Sequence, residues 1–487
     1  MEKKEIILLL AIIMIVTLGL CYQITESWSG WFDFNGAVYS RFAKNFLTFG
    51  FLKTKMTPTW DLGNIVPEHF NYYMHHPPLL AYMMAMSFKI FGIHEWSARL
   101  VPVIFSITAL FLFYLIARFL WDKTIAFLSL IFLGFTPMFL YYGRMVNQEP
   151  VFLFFYFFII YFYLRFLHEN RKSYVDVILI GFIFAYLTAW QAVYLSIVML
   201  VHYLVSAHKD ARNKKLTKVL VLVPLLFFVL YAAWIYFIKG SFAENINSII
   251  SRFGPNTVHQ FSWIDFFRLE ISRSKFYFSV IICIFTLLYI ISLLLKGNRS
   301  IFLRENIYII FIGLPLINVL FFREGAWEHD YQLYYFLPFF AIAATKALLW
   351  LRNYLRNKNI FKIFVLGVFI LFFTESWHNF NSLQAFQFNI DRPIADKINS
   401  VTLPEEEIVT NIQISVPTSW YVDRKYTVIN NVEEFQKINV KKELVFAVLF
   451  PRPGNEKLMS FLSNNYPNFT YRGVIFCNLR RTALLKK

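Results

Sequence analysis

The sequence predicts a mainly α-helical membrane protein with about eleven transmembrane helices and a small C-terminal α/β domain. Of the 487 residues, 58% are hydrophobic and only 16% are charged, whereas an average globular chain carries roughly 25% charged residues. Apolar segments of about 20 residues, the length that crosses a bilayer, recur along the chain up to residue 377. This apolar surplus is too large for a water-soluble core, and it excludes disordered, collagen-like and disulfide-scaffold proteins.

Eleven segments are candidates for membrane spans. They are residues 5–22, 99–118, 124–142, 150–167, 175–190, 191–206, 219–238, 276–295, 306–322, 332–350 and 361–377. The first follows Lys3-Lys4, and no small-x-small cleavage site comes after it, which favours an uncleaved helix over a signal peptide. Only Thr188-Ala-Trp-Gln191 interrupts residues 175–206, so that stretch is either a tight hairpin or one irregular helix.

The positive charges predict the topology. The formal net charge is +17. Eighteen Lys and Arg residues lie in the N-terminus and in connections 118–123, 168–174, 206–218, 296–305 and 351–362. Three short connections of the other set carry only Arg144 and Arg323. The positive-inside rule therefore places the N-terminus in the cytoplasm of a multi-pass plasma-membrane protein, and eleven spans place the C-terminus outside. Ten or twelve spans would reverse the side of the C-terminus, and the charge indicates no nucleic-acid partner.

Two short helices are predicted in the first outer loop, residues 23–98. From Gly36 to Phe49, the apolar side chains recur on one helical stripe. A second apolar run, Leu79–Phe91, follows Pro77-Pro78 and is short for a span. We interpret both as helices in the plane of the membrane interface, where they would support a site at the membrane surface.

The tail from residue 378 is predicted to be an extracytoplasmic α/β domain, separate from a membrane domain at 1–377. Turn signals separate short β-rich runs, and the polar segments between them are candidate helices. The runs are at about 407–411, 426–430, 443–450 and 470–478. The tail carries no recognisable catalytic set of residues, so we expect it to serve acceptor recognition or packing.

Asp33 is the first candidate catalytic residue. It lies within Trp31-Phe32-Asp33-Phe34-Asn35-Gly36, between the first predicted span and the first in-plane helix. A carboxylate among aromatic side chains near the bilayer is expected to be desolvated, which favours its use as a base. The simpler interpretation is that Asp33 caps the following helix. The two roles are compatible.

Other charged and aromatic residues cluster in the predicted outer connections. His75 and His76 precede Pro77-Pro78, and adjacent histidines do not point the same way on a helix, so phosphate contacts or a helix cap are favoured over a two-histidine metal site. Arg144 and Glu149 lie in a short connection between spans and are either functional or paired with each other. A later connection, 323–335, carries further cations and aromatics that suit an anionic headgroup or form an aromatic belt. Its candidate residues are Arg323, His329, Tyr331 and Tyr335.

These motifs, taken in order, resemble the GT-C glycosyltransferases of the family 39 type, which include dolichyl-phosphate-mannose protein mannosyltransferases and lipid A aminoarabinose transferases. The resemblance covers about residues 1–350 and depends on an ordered set of motifs. The set comprises Asp33, Tyr39/Ala43/Gly50, Tyr72–Leu79, Phe91-Gly92 with Trp96-Ser-Ala-Arg99-Leu, Arg144 with Glu149-Pro150, and His329-Asp-Tyr with Tyr335 and Pro338. Many members have Asp-Glu in the first loop where this chain has Asp33-Phe34, and the tail lacks the β-trefoil repeats of the eukaryotic protein mannosyltransferases. Both departures argue against a protein acceptor with that group's specificity.

The resemblance implies a polyprenyl-phosphate sugar donor and an outward-facing cavity at the membrane edge. It implies that Asp33 deprotonates an acceptor hydroxyl, that Glu149 is the acidic residue of the second outer loop, and that His76 lies near the lipid phosphate. A single displacement would invert the anomeric centre, with His75, His76, Arg144, Arg323 and His329 as candidates for holding charge on the leaving phosphate. We expect no cofactor. A divalent metal between Asp33 and Glu149 is possible but not expected, because a lipid monophosphate carries less charge than a nucleotide diphosphate.

Three other classes remain as alternatives. A transporter or lipid flippase would carry ionisable residues in mid-span and inverted repeats with broken helices. An enzyme of the same fold that transfers an oligosaccharide from a lipid diphosphate would usually carry Asp-x-Asp, which Asp33-Phe-Asn35 matches only in part. In a receptor or scaffold, the C-terminal tail would be the functional region. The sequence leaves the acceptor open as a lipid, a glycan or a protein.

Overall fold

The computed structural model describes residues 2–61, 70–206, 213–253, 261–296, 306–355, 357–386, 392–422, 424–439 and 444–480. The chain forms two compact units. The first, which we call the helical unit, comprises Met1–Glu26 and Tyr73–Ala385. The second, the sheet unit, comprises Ser27–Tyr72 and Phe386–Lys487.

The helical unit is built from α-helices and two short irregular helices. In chain order, with α2 (Phe34–Phe49) belonging to the sheet unit, they are α1 (Lys3–Leu20), α3 (Leu79–Phe91), α4 (Glu95–Leu120), α5 (Lys123–Gly134), α6 (Pro137–Tyr142), α7 (Gln148–Glu169), α8 (Ser173–Thr188), α9 (Gln191–Ser206), α10 (Lys214–Lys239), α11 (Ala243–Phe253), α12 (Trp263–Phe278), α13 (Val280–Lys296), α14 (Tyr308–Leu316), α15 (Arg323–Glu328), α16 (Leu337–Leu351) and α17 (Lys358–Ala385). A π-helix, Ile317–Phe321, follows α14, and a 3₁₀ helix, Asp330–Phe336, precedes α16.

Five stretches among the described residues are long and apolar enough to cross a membrane. They are Glu95–Leu120, Gln148–Glu169, Lys214–Lys239, Asp330–Leu351 and Lys358–Ala385. The bent pair α12 and α13 gives a sixth if it counts as one span, and several shorter apolar helices accompany them. The sequence prediction of a mainly helical membrane protein with a small C-terminal sheet is confirmed. The predicted count of about eleven spans is not confirmed.

Two predicted spans are interrupted, and local sequence explains both breaks. Residues 124–142 were expected to be one helix, but α5 ends at Gly134 and α6 begins at Pro137. The Thr136 hydroxyl accepts the Phe139 N–H at 3.1 Å, and Pro137 occupies the first turn, so Thr-Pro forms a new helix start. The expected span 276–295 is broken at Ser279, whose φ is +75°, and α12 and α13 meet at 112°.

The stretch 175–206 forms two helices rather than one irregular helix. Helix α8 ends at Thr188, and α9 begins at Gln191. Ala189 between them has extended backbone angles, and the Trp190 indole N–H donates to the carbonyl of His75 at 2.8 Å. The tryptophan that interrupts the apolar run therefore fixes the histidine segment.

A buried arginine joins the end of the first helix to α4. Arg99 is fully buried, and its guanidinium donates to the carbonyl of Ile24 at 2.8 Å and to that of Glu26 at 2.5 Å. Hydrogen bonds to a charged group each stabilise the fold by roughly 1.5–3 kcal/mol. Arg99 thus holds the chain where it leaves α1.

The sheet unit combines α2 with a five-stranded sheet. The strands are β1 (Ile408–Thr410), β2 (Tyr426–Val428), β3 (Phe446–Leu449), β4 (Asn468–Tyr471) and β5 (Val474–Asn478). Their order is β2-β1-β3-β5-β4, with β1 parallel to β2 and β3, and β5 antiparallel to β3 and β4. The predicted β-rich run 470–478 is therefore most of a hairpin. Arg472 and Gly473, with φ of +50° and +80°, form its two-residue turn.

Helices cover both faces of this sheet. They are α18 (Arg392–Val401), α19 (Val416–Val422), α20 (Val432–Asn439) and α21 (Glu456–Asn465). Successive side chains of β3 point to opposite faces, with Phe446 and Val448 in one core and Ala447 and Leu449 in the other. All four are buried, as expected for a sheet that is packed on both sides. This sandwich is the α/β tail that the sequence predicted.

The two helices predicted in the first outer loop are present. Helix α2 spans Phe34–Phe49 and ends at Gly50, where φ is +89°. Helix α3 spans Leu79–Phe91 and ends at Gly92, where φ is +84°. Glycine adopts such positive φ values without the steric cost that other residues meet, which explains both endings. Their orientation in the plane of a membrane interface stays a prediction.

Candidate active site

Glu149 is a buried carboxylate in the first turn of α7. Its residue is only 5% exposed. Among the described residues, its Oε2 atom has no hydrogen-bond partner. Burying a carboxylate oxygen without a partner costs free energy, so such a group in a folded protein calls for a functional explanation. The helix N-terminus compensates part of this cost, because its N–H groups favour negative charge.

Two tyrosines lie close to Glu149. Tyr334 and Tyr335 are fully buried, and both are near enough to Glu149 to interact with it electrostatically. The Tyr335 ring packs edge-on against Phe152, one turn along α7, at a centroid distance of 5.3 Å. Within the described residues, the Tyr335 hydroxyl has no hydrogen-bond partner. The structure therefore brings together Glu149 and Tyr335, two of the residues that the sequence selected.

Arg144 makes structural contacts. Its guanidinium donates to the carbonyl of Tyr22, just beyond α1, and to the side-chain oxygen of Gln384 at 2.9 Å. Arg144 therefore ties the end of α1 to the end of α17. The sequence did not decide whether Arg144 forms an ion pair with Glu149. Such a pair would give the Glu149 carboxylate a partner, yet its Oε2 atom has no hydrogen-bond partner among the described residues.

The segment containing His75 and His76 is held by α10 and α11. The Met74 carbonyl accepts hydrogen bonds from the Tyr231 hydroxyl at 3.0 Å and from the Asn245 amide at 2.9 Å. His75 Nε2 lies 3.2 Å from the Glu244 carboxylate, which also bonds Lys239. The Lys239 hydrogen bond and the positive charges of Lys239 and His75 lower the pKa of Glu244. His75 thus belongs to a small charged cluster.

Arg323 and His329 lie on a segment that follows the π-helix. The Arg323 guanidinium stacks over the Trp263 ring at 4.1 Å and near the Phe261 ring at 5.1 Å, and the residue is buried. The His329 ring stacks on Tyr331 at 5.0 Å, and Tyr331 packs against Tyr142 at 6.0 Å. A stacked guanidinium uses its face and keeps its N–H edges for an anion, so these contacts suit both an aromatic belt and a phosphate site.

Asp330 is a buried acid that the sequence analysis did not select. Its two carboxylate oxygens accept hydrogen bonds from Tyr142, at 2.5 Å, and from Tyr277. The same region holds Arg273, which donates to Glu270 at 2.8 Å and to the backbone carbonyls of residues 326 and 327. Its sequence signal was its place in the His329-Asp-Tyr motif, since the partners of Asp330 are 188 and 53 residues away.

Asp33 belongs to the sheet unit. It occupies the N-cap position of α2, yet its side chain makes no capping hydrogen bond. The residue is 6% exposed and lies among aromatic rings, with Trp31 against Phe386 at 4.5 Å and against Phe32 at 5.1 Å. Phe32 has a φ of +55°, which costs a residue with a side chain roughly 1–2 kcal/mol. Strained backbone of this kind clusters at functional sites.

The described residues contain no group of three or more His, Cys, Asp or Glu side chains that could hold a metal ion. The prediction that no metal is required stays a prediction. The helical unit groups Glu149 with Tyr335, and His329 with Tyr331, and it gives His75 a charged partner.

Residues 75–237, a third of the chain, match the family model of dolichyl-phosphate-mannose-protein mannosyltransferases. No curated protein matches the chain. The solved structure of ArnT from Cupriavidus metallidurans bound to undecaprenyl phosphate is similar over 99% of both chains, with a TM-score of 0.67 and 13% sequence identity.

Two archaeal structures are also similar. The Archaeoglobus fulgidus oligosaccharyltransferase in its apo form gives a TM-score of 0.61 at 12% identity, over 90% of this chain and 69% of that one. Archaeal AglB from the same organism, in complex with an inhibitory peptide and a dolichol phosphate, gives a TM-score of 0.59 at 12% identity, over 97% of this chain and 74% of that one. At these identities the likeness shows the fold alone.

Proposed function

Because the chain has the fold of the GT-C glycosyltransferases, we propose that it is an inverting glycosyltransferase. It moves a sugar from a polyprenyl phosphate to an acceptor hydroxyl on the outer face of the plasma membrane. The N-terminus is then cytoplasmic, and the C-terminal α/β domain is extracytoplasmic. What carries the proposal is that the segment matching the mannosyltransferase family, residues 75–237, contains four of the candidate residues. They are His75, His76, Arg144 and Glu149.

The proposed reaction is a single displacement at the anomeric carbon. Asp33 takes the proton of the acceptor hydroxyl, whose oxygen forms the new bond to the sugar as the bond to the lipid phosphate breaks. Its burial beside aromatic rings supports this role, because it keeps competing water away from the acceptor hydroxyl that Asp33 would deprotonate.

The remaining residues bind the donor in this proposal. Glu149 offers an oxygen, unpartnered among the described residues, that can accept a hydrogen bond from a hydroxyl of the bound sugar, and Tyr335 lies near enough to interact with Glu149 electrostatically. Arg323 and His329 hold the phosphate that leaves, with Tyr331 stacked on His329. The family resemblance implies that His76 lies near the lipid phosphate, and His75 directly precedes it. Preorganised cations of this kind stabilise charge that develops in the transition state.

A second candidate keeps the fold and changes the donor. The similarity to the archaeal oligosaccharyltransferase, over 90% of this chain, suits transfer of a whole oligosaccharide from a lipid diphosphate. That reaction carries more charge on its leaving group than the transfer of one sugar. The two candidates therefore predict different donors for the same purified chain.

A donor panel tests the proposal. Purified full-length protein in proteoliposomes is given radiolabelled polyprenyl-phosphate mannose, polyprenyl-phosphate aminoarabinose and a lipid diphosphate oligosaccharide, each with a membrane-lipid extract and with glycan and peptide acceptors. Sugar transfer from a monophosphate donor supports the proposal, and transfer from the diphosphate alone supports the second candidate. Movement of a labelled lipid between leaflets without transfer would indicate a flippase instead.

A cellular measurement completes the test. Mass spectrometry of lipids and protein glycans, with and without the gene, is expected to reveal one modified product that disappears on deletion. Unchanged lipids and glycans, together with altered transport of a solute, would contradict the enzymatic proposal.

A further inference from the structure

We propose that Tyr421 is a positioning residue that fixes the Asp33 helix to the C-terminal sheet, so that the tail is part of the catalytic machinery. The inference rests on the proposed role of Asp33 as the base. The residues involved all belong to the sheet unit, which contains both the loop at 27–72 and the tail from 386.

The first link is the packing of Trp28 against α2. Trp28 is fully buried, and its indole lies directly on Gly36 in the first turn of the helix. A Cβ atom at Gly36 would meet two carbon atoms of that ring at 2.2 Å, so the close approach requires glycine. The Gly36 N–H in turn donates to the carbonyl of Asp33 at 2.9 Å. The indole therefore sets the position of the turn that carries Asp33.

The second link is a hydrogen bond between Trp28 and the tail. The backbone N–H of Trp28 donates to the Tyr421 hydroxyl at 3.1 Å, across 393 residues of chain. Tyr421 is itself held on two sides. Its carbonyl accepts the Asn399 amide at 2.7 Å, and the Arg392 guanidinium lies over its ring at 4.1 Å. A ring fixed in this way presents its hydroxyl in one place.

The third link runs from Arg41 on α2 to the same tail helix, α19. Arg41 is buried, and its guanidinium donates to the Ser419 hydroxyl and to the Val416 carbonyl, the latter at 3.4 Å. Helix α19 is anchored in turn by Val422, which lies in the core on one face of the sheet with Ile394 and Phe446. The support of Asp33 therefore continues from α2 through α19 to the sheet.

Loss of the Tyr421 hydroxyl is expected to loosen the first turn of α2 without unfolding the sheet. Tyr421→Phe removes one hydrogen-bond acceptor and keeps the ring under Arg392. We expect the amides of Trp28 and Gly36 to exchange with deuterium about three- to tenfold faster, which is the range of one hydrogen bond. Tyr471→Phe is the matched control, because it removes a tyrosine hydroxyl from β4, which lies on the edge of the same sheet.

The kinetic readout uses undecaprenyl-phosphate mannose as the probe donor. Tyr421→Phe is expected to lower kcat about three- to tenfold and to leave the donor KM unchanged, because Asp33 moves and the donor site does not. In the Asp33→Asn background, Tyr421→Phe is expected to have no further effect on kcat, since the group that it positions is gone. Gly36→Ala, which displaces the indole, is expected to give the same pattern.

The outcomes distinguish a failure of the Tyr421 positioning role from a failure of the proposed function. If Tyr421→Phe matches Tyr471→Phe in amide exchange, the positioning role is overturned. A fall in melting temperature with an unchanged kcat would also overturn it, because that result belongs to a purely structural contact. The exchange measurement needs no donor, so it decides the link even if the probe is not turned over. Full activity of Asp33→Asn would instead overturn the base assignment.

Discussion

Two buried acids of the helical unit have opposite surroundings. Asp330, 3% exposed, has a tyrosine hydroxyl on each carboxylate oxygen, from Tyr142 and Tyr277. Glu149, 5% exposed, has an oxygen without a hydrogen-bond partner among the described residues. A buried acid whose bonds are all made by the protein stabilises the fold, whereas one left incomplete is available to a ligand. Burial alone therefore does not identify a catalytic acid.

The largest difference in turnover between variants of these two acids is expected from Glu149→Gln. An amide keeps the size of the side chain and removes the negative charge that would accept a hydrogen bond from a hydroxyl of the bound sugar. We expect turnover to fall by about 100-fold or more, in the range of a lost catalytic interaction in a water-excluded site. The melting temperature is expected to stay close to that of the wild type. Near-normal sugar transfer by Glu149→Gln would contradict the proposed functional difference between Glu149 and Asp330.

Asp330→Ala is expected to act on stability. It leaves the two tyrosine hydroxyls without their acceptor, and each buried unsatisfied group costs roughly 1–3 kcal/mol, so the free energy of unfolding should fall by roughly 2–6 kcal/mol. A thermal unfolding series in detergent measures this loss. The fraction that remains folded is expected to keep its kcat. A large fall in kcat with normal unfolding would make Asp330 the functional acid instead.

Arg144 and Arg323 differ in the same way as Asp330 and Glu149. Arg144 bonds two protein oxygens, whereas Arg323 makes only ring contacts among the described residues. We expect Arg323→Leu to raise the donor KM about five- to twentyfold, consistent with the loss of one charged hydrogen bond to a phosphate. Arg144→Leu is expected mainly to lower the melting temperature. An unchanged KM for Arg323→Leu with lower thermal stability would favour the aromatic-belt interpretation.

The smallest expected effects come from two hydroxyls. Tyr142→Phe removes one hydrogen bond to Asp330 and is expected to cost about 1 kcal/mol of stability with little change in kcat. Tyr335→Phe removes a hydroxyl that has no partner among the described residues, so stability is expected to stay the same. Its effect should appear in kcat/KM, as a fall of a few-fold. Equal stability losses in the two variants would show that Tyr335 is a structural residue like Tyr142.

The parts of the fold that the sequence predicted well depend on local signals. Leu79–Phe91 begins after Pro77-Pro78 and ends at Gly92, and both limits were read from the chain. The helix breaks at Thr136-Pro137 and Ser279 were not predicted. Both lie within apolar runs, and hydropathy does not distinguish a continuous helix from one that contains a new helix start or a residue with positive φ. Hydropathy records burial in lipid or protein but does not record where a helix bends.

The sequence predicted which residues belong to the site better than it predicted how those residues are arranged. Glu149 and Tyr335 were both selected, yet nothing local indicated that they would lie together across almost 190 residues. Asp330 was not predicted as a site residue, because Tyr142 and Tyr277, which donate hydrogen bonds to its carboxylate, are distant from it in sequence. The sequence predicted that the tail serves acceptor recognition or packing, and only the folded unit revealed that Tyr421 and Ser419 contact the loop that contains Asp33.

The most direct test compares Asp33→Asn with the wild type in transfer from the donor that the panel selects. Asp176→Asn is a suitable control, because Asp176 is half exposed and its ion pair with Lys215 contributes little to stability. We predict that Asp33→Asn binds the donor with an unchanged affinity and melts at the same temperature, while its turnover falls by about 100- to 10,000-fold. Turnover within a few-fold of the wild type and of Asp176→Asn would contradict the assignment of Asp33 as the base.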